Sequence, residues 1–545
     1  MTERYSFNLV DEPWIPCLRL DGEPVELSLR DALVHAQELQ MVAAELPHTT
    51  AALMRLLLAI LHRVFGPADE DAWAALWTAQ RFDAAALDAY FQMWRHRFDL
   101  FDPERPFYQM DDPKKQFKSV VSLKHGFSFL HDEHFDHTNE ASGFVLTPQE
   151  AARCVVTVQV FGLSGTSGPT LQFTGAPGLP GATFMLQGDN LKETIVLNMP
   201  AYPEQAFFVY VADNDAPIWE QDDPFSDERD QPYGLLDYVT WQNRWVLLDL
   251  PDLQDDKPVV RRYKVGPGPR LRVDGTEPYF AYQKSKKGGM IPIRFSEERS
   301  LWRDSVALFS IGGPTKEQYQ SPTAFRWLSS ILESSEEYSR VSTDKQLNCL
   351  ALGISRDPGN VAKVLFARLE HLPIVPAYLL EPDLVQSLSS ALSDTEKTAR
   401  SVLRAVRVAG MHIHIAQAEQ VKWPRYGIHL KASQSIHKEE EKEIEDWVSH
   451  AGVERAYWAS LDVPFQEFVV RLPADREGAR IDWQQTLEDA AYAAFDKIAL
   501  YAGDDGRSLK ALVVGRQALA YSLRQDLPLI HQQVEQQPTA EEVSL

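Results

Sequence analysis

The chain is poor in cysteine, poor in positive charge for its length, and has no long apolar run. Three cysteines, Cys17, Cys154 and Cys349, stand far apart in 545 residues with no CxxC pair. That excludes a disulfide framework and a zinc knuckle, and it fits a reducing compartment. No stretch approaches the roughly 18 apolar residues that span a bilayer. The opening MTERYSFNLV has no basic segment ahead of an apolar core. A soluble, cytoplasmic protein without membrane contact is the expectation. Lys and Arg number 54 against 78 Asp and Glu, a formal net charge of -24. Free nucleic acid is therefore repelled at long range, and any such binding must be local or shared with partners that bring positive charge. GxSxG, HExxH, a GK[ST] phosphate loop and GxGxxG entering a helix are also missing. No nucleophile arrangement, nucleoside-triphosphate site or cofactor follows from such a sequence.

With 44% apolar residues the chain can bury a large core, and its length points to at least two domains. FNLVDEPWIPCLRLDGEPVELSLRDAL reads as two short strands joined at Asp21-Gly22 and then a helix. Apolar spacing predicts a core helix from His48 to Val64 and further helices between Asp71 and Phe98. From 99 to 350, runs such as RCVVTVQVF, TIVLNM, AFFVYVA and RWVLLDL read as strands among long polar, glycine-rich or proline-rich connections. Periodic segments at 380–418, 438–471, 482–502 and 506–525 read as helices joined by short turns. The fold class is α+β: a large mixed N-terminal domain with elaborate loops over 1–374, then a C-terminal four-helix bundle over 375–545 with a frayed tail.

Against the acidic whole, residues 257–303 hold twelve Lys and Arg and four Asp and Glu. Glycine and proline gather there too, in YKVGPGPRLRVDG and QKSKKGG. This is either a local site for a polyanion or a solvated hairpin face. Lys114, Lys115, Lys118 and Lys124 form a second basic run with no acid between 113 and 130. FGLSGTSGPTLQFTGAPGLPG places six glycines in twenty residues. Its backbone from Ser164 to Gly168 could approach a phosphate or a base edge, or simply form a surface loop. In HDEHFDHTNE, His131, His134 and His137 recur every third residue, a spacing that on a helix would make a metal face and on a loop would not. Arg400, Arg404 and Arg407 share one helix face and could follow a phosphate backbone.

At FNLVDEPWIPC the chain resembles the CasA family, the large subunit of the type I-E CRISPR surveillance complex Cascade. FDLFDPERPFYQ, the glycine loop followed by TIVLNM, PIWE leading to YGLLDYVTWQNR, and ERAYW at 454–458 agree with it in the same order. The resemblance implies no enzyme but a subunit that reads the PAM in double-stranded target DNA, largely from the minor groove. Strand separation would start there so that the guide RNA can pair. It implies three partners: the DNA target, the guide-RNA ribonucleoprotein with its backbone, small and guide-end-capping subunits, and a helicase-nuclease. It implies no metal, because the mid-chain cysteine cluster of some members is missing.

Carried onto this sequence, the family's glycine loop falls on Ser164, Gly165, Ser167 and Gly168. Its basic hairpin falls on Lys264 to Arg272. The expected lysine lands on the glycines and prolines of VGPGPR, so Lys264 or Arg270, with Arg272 beside them, substitutes for it or the contact is absent. The wedge falls on Arg356, Asp357, Pro358 and Asn360, and a loop contacting the guide's end or a neighbouring subunit falls on Phe135, His137 and Asn139. Arg400, Arg404 and Arg407 would follow the displaced strand. The competing reading is a metal-dependent nuclease or phosphoesterase built on His131, His134 and His137.

Overall fold

The helix Pro47–Phe65 starts on a proline, whose fixed φ suits a first helical turn and whose missing N–H is not needed there. It continues through a nearly unbroken apolar sequence, and every residue from His48 to His62 is buried. A helix buried around its whole circumference lies in the middle of a core. The structure, a computed structural model, describes residues 5–124, 143–163, 165–166, 172–173, 175–201, 214–225, 229–272, 277–313, 315–334, 341–342, 345–357, 359, 363–415 and 438–531. The chain divides into two units, Met1–Leu380 and Glu381–Leu545, whereas the sequence reading put the boundary earlier, between 374 and 375. No single helix among the described residues is long and apolar enough to cross a membrane.

In the first unit, helices pack with small antiparallel sheets, four of which have three strands among the described residues. Strands Ile15–Arg19 and Pro24–Leu27 form the expected N-terminal hairpin, with Gly22 at φ +86° in its turn. Arg244–Leu248 pairs with Arg262–Pro267, which pairs on its other side with Lys118–Ser119. Another sheet runs Tyr319–Gln320, Tyr282–Lys284, Met290–Pro292. A long hairpin, Leu347–Arg356 with Val364–Ile374, takes Thr183–Gln187 as its third strand.

Two runs read as strands are helices. RCVVTVQVF lies in the helix Pro148–Phe161. Its β-branched residues are overruled by a start signal just upstream: Thr147 and Glu150 cap each other reciprocally, and Pro148 opens the first turn. TIVLNM lies in and just after the helix Leu191–Leu197, begun by Asn190, whose side chain accepts from the Glu193 N–H at 2.9 Å. Asn198 then binds that helix to strand Thr183–Gln187, donating to the Leu186 carbonyl at 2.6 Å and accepting from the Leu186 N–H at 3.1 Å. RWVLLDL contains a strand as read, and AFFVYVA lies outside the described residues.

The second unit is helical, with Pro382–His414, Arg476–Asp496 and Gly506–Asp526 as its long members. The segment 438–471, read as one helix, is three: Lys438–His450, Val453–Ala459 and Asp462–Arg471. The first break is Gly452 at φ +57°, a left-handed conformation that ends a helix. Helices Pro382–His414 and Gly506–Asp526 approach closely at Gly515, where a Cβ would lie 3.0 Å from the Ala405 carbonyl.

Burial alone pushes His48 down to about 3 and His62 down to about 4, so both imidazoles are neutral in the folded core. Their folded pKa values lie below the unfolded value, so the unfolded chain binds more protons as pH falls from about 6.5 toward 4. Each imidazole should withdraw roughly 2–3 kcal/mol of stability by about pH 4.5. Melting temperature followed against pH should therefore fall less steeply over this window in His62→Leu than in the wild type.

Candidate nucleic-acid interface

Several glycines of the glycine-rich stretch serve packing. A Cβ on Gly162 would lie 2.6 Å from the Val158 carbonyl, and one on Gly178 would lie 2.8 Å from that of Val160. Between them, Gly165 and Thr166 pair with Phe173 and Gln172 in a short antiparallel ladder. Gly165 is thus a backbone position in a hairpin stem. Ser164, Ser167 and Gly168 lie outside the described residues. The stem is rooted on Arg244, whose Nη2 donates to the Leu163 carbonyl at 2.6 Å. Burial pushes the Arg244 guanidinium down to about 10, the cost of holding a cation inside to grip a backbone.

Strand Gln172–Phe173 lies against strand Arg262–Pro267, so the glycine hairpin and the basic island adjoin. Lys264 does not sit on a hairpin tip. It is in the central strand of its sheet, opposite Leu247, with Nζ 2.8 Å from Asp111 and 4.9 Å from the centre of the Phe117 ring. Its side chain is only 16% exposed, so its charge is largely spent within the fold. Arg270 is exposed and has no ion pair among the described residues, whereas Arg272 lies 3.7 Å from Asp230. The glycines of VGPGPR have a local cause. A Cβ on Gly266 would collide with Asp112, and one on Gly268 would lie 2.4 Å from the Gln242 carbonyl.

The hairpin in the basic island is formed by Tyr282–Lys284 and Met290–Pro292, with SKKGG at its turn. The Ser285 N–H donates to the Gly289 carbonyl at 2.7 Å, and Gly288 takes φ +96°. Lys284, Lys286 and Lys287 are exposed there, with no ion pair among the described residues. Sequence reasoning quoted QKSKKGG but followed the neighbouring VGPGPR instead. The signal it passed over was Gly-Gly directly after paired lysines, a turn composition that places those lysines at the tip.

This hairpin and the long one meet at the end of the glycine-rich stretch. A Cβ on Gly181 would lie 2.9 Å from Pro292 Cβ and 3.1 Å from the Ile293 carbonyl, and the Ala182 N–H donates to that carbonyl at 2.8 Å. Ser355, on the long hairpin, donates to the Phe295 carbonyl at 3.3 Å. Arg356 does not point outward as a wedge. Its Nη2 reaches back 3.4 Å to the Leu179 carbonyl, and burial, with Arg294 nearby, lowers its pKa. Beyond it, the Asp357 N–H donates to the Lys363 carbonyl at 3.0 Å, one step past the Arg356–Val364 pair, and Asp357 accepts from the Gly359 N–H at 2.7 Å. Pro358 and Asn360 lie outside the described residues.

In the helical unit, Arg400 and Arg404 are exposed on the helix Pro382–His414 and have no ion pair among the described residues. Arg407 is held by Glu445, with Nε 2.7 Å and Nη2 3.0 Å from its carboxylate, and these hydrogen bonds raise its pKa. His131, His134, Phe135, His137 and Asn139 lie outside the described residues. Among the described residues, no group of three His, Cys, Asp or Glu side chains is placed to hold a metal. Burial pushes Cys17 and Cys154 up to about 12 and Cys349 higher, so none is a ready thiolate.

Residues 8–494 match the family model of the CRISPR-associated protein Cse1. The CRISPR-associated protein CasA/Cse1 of Thermus thermophilus is 31% identical over 539 residues, covering 94% of this chain and 96% of that protein. A crystal structure of Thermus thermophilus CasA superposes with a TM-score of 0.76 at 27% identity, over 96% of this chain and all of the other. A chain of a CRISPR RNA-guided surveillance complex has the same fold, with a TM-score of 0.71 at 23% identity, over 94% of this chain and 99% of that one.

Gly268→Ala, which drives a methyl into the Gln242 and Asn243 backbone, should cost roughly 1–3 kcal/mol. A lowered denaturation midpoint at unchanged slope would register it.

Proposed function

The chain belongs to the Cse1 family of CRISPR-associated proteins, also called CasA. From that premise we propose that it is the large subunit of a type I-E surveillance complex. In that role it reads the PAM of double-stranded DNA and begins the strand separation that lets guide RNA pair. The observation that carries this reading is the meeting of the glycine-rich stretch with the Tyr282–Pro292 and Leu347–Ile374 hairpins around Gly181 and Ile293. The minor groove presents a degenerate pattern, which backbone amides of the glycine hairpin and a few cations can read permissively. Lys284, Lys286 and Lys287 take the part first given to Lys264, which Asp111 already holds. The segment 357–363, with Pro358 and Gly359 adjacent in sequence, takes the part of the wedge.

On this reading no catalytic residue is needed, and cleavage falls to a helicase-nuclease docking on the complex. Phe135, His137 and Asn139 contact the guide's end or a neighbouring subunit. The C-terminal unit acts as a four-helix bundle whose second member is segmented, and Arg400 and Arg404 follow the displaced strand.

Complex reconstituted with Lys286→Ala, Lys287→Ala should capture PAM-bearing duplex more weakly. The slope of log affinity against log salt should flatten by up to about 1.8, at roughly 0.9 per phosphate contact. Binding to a target already opened as a bubble should survive. Equal loss on both substrates in a gel shift would defeat the assignment.

A further inference from the structure

The glycine hairpin leaves the core at the end of the helix Pro148–Phe161, and the carbonyls along that exit are satisfied in turn. The Val158 carbonyl accepts from the Gly162 N–H at 2.9 Å, that of Val160 from the Gly178 N–H at 2.8 Å, and that of Gly162 from the Ala176 N–H at 3.0 Å. These backbone bonds close the outgoing chain on the returning one. The next carbonyl, that of Leu163, is taken by a side chain instead, Arg244 Nη2 at 2.6 Å. The ladder of Gly165 and Thr166 with Phe173 and Gln172 begins two residues farther on. Arg244 therefore stands at the point where the packed core gives way to the hairpin stem.

Arg244 is itself held firmly. It is 1% exposed, and its backbone trades two hydrogen bonds with the Gln159 side chain, the N–H donating to Oε1 at 2.8 Å and the carbonyl accepting from Nε2 at 2.9 Å. Its other arm, Nη1, donates to the Asn243 carbonyl at 2.8 Å, and that carbonyl also accepts from the Gly268 N–H at 3.1 Å. One planar guanidinium thus spans two carbonyls, one at the root of the glycine hairpin and one that also carries the end of the basic strand. A lysine, a single point donor on a flexible stem, cannot span both.

We propose that Arg244 is a positioning residue for PAM reading: by spanning the Leu163 and Asn243 carbonyls it sets the exit of the glycine hairpin, so that the hairpin meets the duplex already ordered. The inference rests on the PAM-binding reading above and gives that site a buried determinant that never touches DNA. Glycine loses more freedom on ordering than any other residue. Ordering that is completed in folding no longer opposes binding.

The test uses the reconstituted complex with a PAM-bearing duplex, a PAM-scrambled duplex and a target already opened as a bubble. Wild type should prefer the PAM-bearing duplex. Arg244→Lys should cut that preference by roughly three- to tenfold, the ordering cost of a few residues, and leave bubble binding unchanged. Hydrogen exchange should quicken at Gly165, Thr166, Gln172 and Phe173 while the helix Pro148–Phe161 stays protected. Arg244→Gln should lower the preference likewise at an unchanged slope of log affinity against log salt. A slope flatter by about 0.9 would mark Arg244 as a phosphate contact and overturn the positioning role. Full preference in Arg244→Lys would overturn it too. Equal loss on the bubble, or failure of Arg244→Lys to enter the complex, would show a general structural role and have the same effect. A wild type indifferent to the PAM would instead defeat the PAM-binding reading, and this inference with it.

Discussion

A buried ion pair sets the position of the lysine hairpin against the core helix. Arg55 stands in the middle of a helix buried on all sides, where an unmatched cation would be untenable. Glu277 meets it there, also buried, and Tyr238 donates to the same carboxylate. Tyr238 and Tyr279 turn their rings to the guanidinium at 5.4 and 5.3 Å, and the Glu277 N–H donates to the Tyr282 hydroxyl at 2.7 Å. Burial works against the charge on Arg55, but Glu277 and the neighbouring phenols outweigh it and hold the pKa above its ordinary value. Glu277 lies in sequence between the basic strand and the lysine hairpin, and Tyr282 opens that hairpin. One desolvated contact, through Tyr282, therefore pins the lysine hairpin to the core helix. Removing either partner would leave a buried charge with nothing to answer it.

The same reasoning about where charge is matched separates residues that hold the fold from residues available to a ligand. Lys264, Arg262 and Arg407 are cations by sequence, but each faces a carboxylate within 2.8 Å, and Lys264, largely buried, has little charge left to offer. Lys284, Lys286 and Lys287 stand out in solvent at a turn. Arginine does the internal holding around the glycine-rich stretch. Arg244 grips the Leu163 carbonyl, Arg356 that of Leu179 and Arg294 that of Pro180. A glycine-rich segment is costly to order, and carbonyl acceptors fixed by planar guanidinium donors are one way to order it.

Much of the fold was legible because local signals and burial agree. The apolar spacing at 48–64, the turn at Asp21-Gly22 and the helical texture beyond 380 each showed their structure directly. RCVVTVQVF and TIVLNM misled because β-branched composition was weighed above the caps at Thr147 and Asn190, which lay just outside the runs being read. The glycine stretch was visible as a dense feature, but that Gly181 makes room for Phe280 and Pro292 is decided by neighbours far away in sequence.

What the order of residues settled without help was the family, the mixed body with a helical end, the absence of recognisable catalytic motifs and the existence of two basic runs in an acidic chain. These are properties of composition, spacing and block order, which no folding can change. What only the folded chain decided was how cations such as Lys264 are matched and that two distant basic runs share one sheet. The pairing of Lys118 with Tyr263 and of Lys264 with Asp111 depends on strand register across more than a hundred residues. Coulomb energy falls with distance through space and is indifferent to distance along the chain, so the charges that matter to one another are known only once the sheet is formed.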